Sequence, residues 1–351
     1  MMSEIVESFL IKPPSWNISS NGVTLSSRVR LVRNLSEFPF ATSANLVQKK
    51  SVREKVFSNL ESYFKSVGIN VDFIEAETLT ERDINILLGL HLINYSFKKD
   101  LKGKGLCLSK DGSISIVINE VDHIKIHIYS ENLAFEKIYS KANSIDDYLI
   151  ENLNISFSEE LGFLTACPTN IGTALRASSI LHIPSIVTTG EINDIAKFLG
   201  RKDIMIRGLF GNEEGLGDVF QLSNTETLGK TEEEIIGEVY NVSEQLIKRE
   251  EELRNKLVST SPDEVQDRIN KSQGIIKYAK FLSLHEAFEI ISLFRMAKLA
   301  GLLPEIELEK INTALLKISP EMIKAIDPKI KTTQEENKLR AEILKQILNE
   351  E

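Results

Sequence analysis

Apolar positions recur along this chain with two different periods, and the changes of period mark out the elements. From Ala44 to Val67 they fall at helical spacing (Leu46, Val52, Val56, Leu60, Phe64, Val67), which predicts an amphipathic helix. A second helix is predicted from Thr80 to Asn94, opened by Thr80 with Asp83 three residues on, an aspartate variant of the capping box. Residues 105–128 alternate as strands do, and GLCLSK and SISIVIN flank Asp111-Gly112, a strong hairpin signal. That second strand runs into a polar cluster, Asn119, Glu120, Asp122, His123 and Lys125, at a position where sites are often kept. Upstream, VTLSSRVRLVRN over residues 23–34 reads as a strand with Arg28 and Arg30 on one face, since side chains two apart point the same way. Two such arginines repel unless an anion sits between them; a solvated edge strand is the alternative.

Further on, a helix is expected from Asn132 to Asn152. Two strands, IMIRGLF over 204–210 with Arg207 and then DVFQLSN, bracket the Gly/Glu loop GNEEGLG. Thr231 with Glu234 is a full capping box, and its helix is expected to reach about Val258. Ser259-Thr-Ser-Pro-Asp is the best domain boundary. Beyond it the pattern is helical over 263–281, 283–300, 304–318 and 332–348, with Pro304 and Pro320 read as helix starts. Residues 1–21, with Pro13, Pro14 and a Ser/Asn run, read as a loosely ordered arm. The expectation is an α+β domain over 22–258 followed by a small all-helical domain over 259–351.

The stretch Gly162–Ser178, GFLTACPTNIGTALRAS, has two readings. Gly172 and Thr173 resemble the entry to a helix with Thr173 as N-cap, whose free N–H groups and dipole would suit an anion near Arg176. Alternatively it is a tight connection with a buried Cys167 and a surface arginine.

Bulk properties narrow the classes. The chain has 351 residues, 42% hydrophobic and 26% charged, which fits a soluble globular protein of two domains. A net charge of −9 argues against a broad nucleic-acid surface. No apolar run approaches membrane-spanning length, and the first residues do not read as a secretory signal. Cys107 and Cys167 match no metal spacing, so neither a zinc nor a disulfide framework is expected, and a reducing cytoplasm is the default.

Taken in order, LSSRVRLVRN, the helix with HLIN, INEVDHIKI, GFLTACPTNIGTALRAS and RGLFG…DVFQLSNTETLG resemble the guanidino-kinase catalytic domain (the phosphagen-kinase family). The pattern is most similar to the bacterial protein-arginine kinases, which lack the usual N-terminal domain and carry a C-terminal helical one. The resemblance implies an antiparallel sheet flanked by helices, ATP with Mg2+, and transfer of a phosphoryl group to arginine side chains of proteins. By motif position it assigns the nucleotide to Ser26, Ser27, Arg28, Val29 and Arg30; to Arg176, Ala177, Ser178, Ser179 and Ile180; and to Arg207, Gly208, Leu209, Phe210, Gly211 and Asn212. His91 corresponds to the adenine-side histidine, and Lys125 stands where the family has a further arginine. Cys167 matches the reactive cysteine beside the acceptor. The resemblance also implies a homodimer working with a zinc-binding activator and a protease-associated unfoldase.

The acceptor side departs from the family. A guanidinium is a poor nucleophile until a base takes its proton. Of the two family glutamates, one is Val121 here and the other is Asn212, with Glu213 or Glu214 as the nearby substitutes; Glu120 is the remaining glutamate of the first motif and, read as the strand neighbour of Val121, faces the opposite way. In the tail, Glu336 and Asn337 replace the arginine-aspartate pair of the family's phosphoarginine-binding motif, while Arg340 and Ala341 fit it. Arg340 then reads as a solvated residue on an amphipathic helix. Three functions remain open on the sequence: an arginine kinase using Glu213 or Glu214, an ATP-binding pseudokinase acting through partners, and a structural protein without nucleotide.

Overall fold

The segments of period two form one sheet, and those of helical period cover it. In this computed structural model, which describes residues 4–209 and 215–348, two short helices, α1 (Glu4–Ile11) and α2 (Ser15–Ile18), precede strand β1 (Thr24–Arg33). Next come α3 (Leu46–Ser66), β2 (Val71–Glu75), α4 (Glu81–Gly89), α5 (Tyr95–Lys98) and the meander β3 (Gly105–Ser109), β4 (Ile114–Ile118), β5 (Ile124–Ser130). Helix α6 (Phe135–Asn152) and a small hairpin, β6 (Phe157–Ser158) with β7 (Gly162–Phe163), lead to β8 (Leu175–His182). After α7 (Pro184–Thr188) and α8 (Ile192–Gly200) follow β9 (Ile204–Gly208), β10 (Val219–Asn224) and the long α9 (Glu232–Thr260). The chain continues through α10 (Pro262–Tyr278), α11 (Leu284–Leu299), α12 (Leu308–Lys317), α13 (Pro320–Ile326) and α14 (Thr333–Leu348).

The main sheet has the order β2-β3-β4-β5-β1-β8-β10-β9, antiparallel throughout, so β5 and β1 lie at its centre and β8 is an interior strand beside β1. One face is a dry core, where Val29, Leu31, Ile126 and Ala177 meet Val56 and Leu60 of α3, Ile138 of α6 and Val239 of α9. On the other face α1, α2 and α4 cover the β3–β4 end, and α11–α14 share a core with Leu25 and Val219 at the opposite end. Helix α13 packs on α4 and joins the two covers; a Cβ on Gly89 would come within 2.6 Å of Met322. Between the covers the middle of the sheet stays open as a cleft.

Four sequence expectations need correction. Residues 175–182 are not a helix entered at Thr173 but the interior strand β8, bonded to β1 on one side and β10 on the other. The small residues that suggested helix, Ala177 and Ser179, are small because α9 lies against them: Ser179 Oγ meets Ser243 Oγ at 2.8 Å. Pairing on both edges overrides local propensity. The N-terminal arm is ordered, with Val6, Phe9, Trp16 and Ile18 buried and Trp16 Nε1 donating to Gly112 O at 2.9 Å. Helix α4 stops at Gly89, and His91 turns the chain with φ 57°. Pro304 lies in the turn before α12 rather than at a helix start, whereas Pro320 does open α13.

Candidate functional site

Strand register brings four arginines to the open face. Arg28 and Arg30 are two apart on β1; Arg30 lies across from Arg176 on β8 and from His127 on β5, and Arg28 across from Tyr129 and Ser178. Farther along, Ile180 pairs with Gln221 and Gln221 with Arg207. Side chains in register on neighbouring strands share a face. Arg28, Arg30, Arg176 and Arg207 accordingly line one cleft of about 610 Å³, together with Ser26, Glu120, His127 and Gln221.

The cleft is short of negative charge. Burial, and then repulsion from Arg176 and Arg28, push the Arg30 guanidinium down to about 9. Arg176 is lowered by burial and then by Arg28 and Arg207. The Nε atoms of Arg28 and Arg30 are buried without a hydrogen-bond partner. Arg30 Nη2 does donate to Asn170 Oδ1 at 3.2 Å, and Arg207 Nη2 to Gln221 Oε1 at 3.4 Å. Burying like charges is unfavourable unless an anion joins them, so this geometry selects a polyanion. His127 adds a buried Nδ1 without a partner, and burial followed by Arg28 and Arg30 keeps its imidazole well below the ordinary range and neutral.

An apolar wall adjoins the arginines. Trp16 stacks on Tyr129 with centroids 4.3 Å apart, and Tyr129 Oη donates to His91 O at 2.9 Å. Burial, then Arg28, lowers His91 to about 4. Opposite, α11–α13 supply Phe288, Leu315, Leu316 and Glu321. Trp16, His127, Tyr129 and these helical residues were not foreseen. The alternation Lys125-His127-Tyr129 on β5 was the signal that could have found His127; nothing local marks Phe288 or Leu315.

Several sequence candidates face elsewhere. Val29 and Ala177 belong to the dry core. Ser27 Oγ accepts from Ala134 N at 3.3 Å, and Ser179 faces α9. Ser178 Oγ accepts from Gln221 Nε2 at 3.2 Å, while Ile180 and Leu209 line the cleft and Gly208 is buried beside it. Lys125 turns its ammonium onto Glu120 Oε2 at 2.7 Å, and Ser96 Oγ donates to the other oxygen of Glu120. Phe210, Gly211, Asn212, Glu213 and Glu214 lie outside the described residues.

On the acceptor side, residues 119–123 form the turn between β4 and β5, closed by Asn119 N donating to His123 O at 3.0 Å. Val121 is therefore a turn residue, not one on a strand next to Glu120. Asp122 Oδ1 accepts from Ala166 N at 2.7 Å, which holds this turn against the segment of Cys167. Cys167 is half-buried, its Sγ 3.1 Å from Thr169 Oγ1. Arg340 is also placed differently from its sequence reading. It is 1% exposed, and it donates to Ile318 O at 3.1 Å, Leu282 O at 3.3 Å and Asn337 Oδ1 at 2.8 Å. Its stem packs in the helical core, which leaves it a structural residue rather than a solvated one.

Residues 51–253 match the family model for the ATP:guanido phosphotransferase C-terminal catalytic domain, and residues 262–351 match that for the protein-arginine kinase McsB C-terminal domain. A protein-arginine kinase of Halothermothrix orenii is 34% identical over 328 residues, 93% of each chain. One from Clostridium novyi is 34% identical over 336 residues, 95% of this chain and 96% of that one. Among solved structures, a lombricine kinase superposes with TM-score 0.57 at 22% identity, covering 67% of each chain. The duplicated taurocyamine kinase of Schistosoma mansoni, with bound transition state analog components, gives TM-score 0.60 at 21% identity over 89% of this chain and 47% of that one. The two structures share the fold.

Proposed function

This chain belongs to the ATP:guanido phosphotransferase family, and from that premise we propose that it moves the γ-phosphoryl group of ATP onto arginine side chains of proteins. The observation carrying this reading is the convergence of Arg28, Arg30, Arg176 and Arg207 on one cleft, two of them with buried, unpartnered Nε atoms. A nucleoside triphosphate brings about three to four negative charges, and phosphoryl transfer is accelerated mainly by positioning and charge stabilisation. Planar guanidinium forks hold phosphate oxygens bidentately, so the arginines both bind and align the chain of phosphates. Neutral His127 and His91 add hydrogen bonding without more positive charge. Among the described residues no group of three His, Cys, Asp or Glu side chains could hold a metal. Magnesium, which neutralises phosphate charge when bound, would accompany the nucleotide.

In the reaction, the bond from the γ-phosphorus to its bridging oxygen breaks, ADP leaves, and a P–N bond forms to a guanidinium nitrogen that gives up one proton. The proton needs a base, worth roughly two to four decades in rate. Val121 offers none, and Glu120 is engaged by Lys125 and Ser96. The reading assigns the base to Glu213 or Glu214. The same reading extends to a zinc-binding activator, an unfoldase and a second copy of the chain as partners.

The absence of a carboxylate at Val121 and the ion pair at Glu120 support a second reading, an ATP-binding pseudokinase. Incubation with Mg-ATP and an arginine-bearing protein, followed by mass spectrometry that avoids acid, separates the two. Phosphoarginine is expected; a protein that binds ATP and yields none is the pseudokinase. Activity gained by V121E with N212E in an inert parent would mark a degenerate kinase.

A further inference from the structure

The loop carrying Cys167 has two sides. On one, Asn170 receives Arg30 Nη2 and borders the cleft. On the other, Gly172 and Thr173 wall a second, shallow depression of about 260 Å³. Its floor is Phe163, with the Arg33 guanidinium 3.4 Å from the ring centroid and Phe157 edge-on at 5.2 Å. Arg33 is buried and paired with Asp146 at 2.6 Å, so the floor rests on a fixed support. Phe157, Leu161 and Leu228 are 57%, 40% and 53% exposed, which makes a contiguous apolar surface rather than scattered single residues.

This depression is tied to the acceptor loop. Thr227 Oγ1 donates to Ile171 O at 2.7 Å and to Thr169 O at 3.4 Å, and Phe163 N donates to Gly172 O at 2.8 Å. Asn170 and Gly172 are two residues apart, so the cleft border and the depression are separated by about 7 Å of chain. The rim is acidic: Glu160 and Glu232 line it, and the cation Lys230 is paired with Glu238 at 2.8 Å and Asp203 at 3.7 Å.

We propose that this depression docks the protein substrate, as an extended, arginine-bearing segment. An apolar side chain near the target arginine seats on Phe157, Phe163 and Leu228, while the acidic rim attracts cationic neighbours. The proposal rests on the kinase reading and names the substrate feature that reading leaves open. Charge selects the occupant. The rim repels a nucleotide or an acidic segment, and a second copy of this chain would bring a net charge of −9.

The test uses two short fluorescein-labelled peptides, each with one arginine, flanked in one by Leu and Phe and in the other by Ser. Fluorescence anisotropy is read with the full chain and with the double variant F157S/L228S, whose replaced side chains are more than half exposed. Parent protein is expected to bind the apolar-flanked peptide about tenfold more tightly than the Ser-flanked one, and the double variant to lose that preference. Uptake of a fluorescent ATP analogue should be equal in both, which certifies the variant's fold. Equal peptide binding by parent and variant overturns the proposal, as does no peptide binding by the parent. A sedimentation change in the variant would assign the surface to self-association and also overturn it. Failure of the kinase reading looks different: peptide preference intact, phosphoarginine absent.

Discussion

Arg30→Met should make the nucleotide-free protein more stable while removing most of its response to ATP. A guanidinium pushed down to about 9 on folding, well below its ordinary value, disfavours the folded state wherever it is charged, and that cost is relieved only as pH rises above about 9. At about 1.4 kcal/mol per unit, the upper limit at neutral pH is about 5 kcal/mol. Arg30 keeps part of its surface open to the cleft, and its bond to Asn170 is worth about 1.5–3 kcal/mol. A net gain of about 1–3 kcal/mol in the variant follows, read as a rise of a few degrees in Tm. Ligand at a hundred times its Kd stabilises the parent by about 2.7 kcal/mol. Loss of one phosphate clamp that weakens binding a hundredfold leaves about 0.4 kcal/mol of that. Scanning fluorimetry at neutral pH, with and without Mg-ATP, measures both effects. A variant less stable than its parent without nucleotide, or one that keeps the full ATP shift, would refute the electrostatic account of the cleft.

Other perturbations probe the supports. Lys125→Met strands Glu120 as a buried charge and should cost about 3–5 kcal/mol in urea unfolding, largely restored by adding Glu120→Gln. Gly172→Ala places a Cβ 2.2 Å from Thr227 O at φ +112°, so the loss should be several kcal/mol, with weaker acceptor use in what still folds. Glu250 accepts from Ser185 N and Ile186 N, and burial raises its carboxyl to about 7. Between roughly 4.5 and 7 the folded state holds a proton that the unfolded state has released, so stability should fall as pH rises through that window. In Glu250→Gln the urea midpoint should not show that fall.

Much of the sheet was legible because period two is a local signal: Arg28 and Arg30 fall on one face without knowledge of any neighbour. The same rule, applied to β8, would have placed Arg176 with Ser178 and Ile180 and sent Ala177 and Ser179 inward. It was missed because small residues hide alternation, and their size is set by α9, more than sixty residues on. The capping boxes at Thr80 and Thr231 were visible for the same local reason and hold in the structure. Trp16 gave no sign of its partner Tyr129, and Arg340 none of its burial, since both depend on contacts remote in the chain. Family motifs mark which segments meet at a site but not which alternate residues face it, as Ser27 and Val29 illustrate.

The roof of the cleft has a practical consequence. Phe288, Leu315 and Glu321 belong to the helices that a cut at Ser261 would remove, and the same cut would leave Leu25 and Val219 facing water. An excised front portion would therefore be a half-walled receptor prone to sticking to itself. By thermodynamic reciprocity, any ligand gripped by that wall must in turn tighten the tail, so protease resistance of the last ninety or so residues becomes a readout of what occupies the arginine cleft.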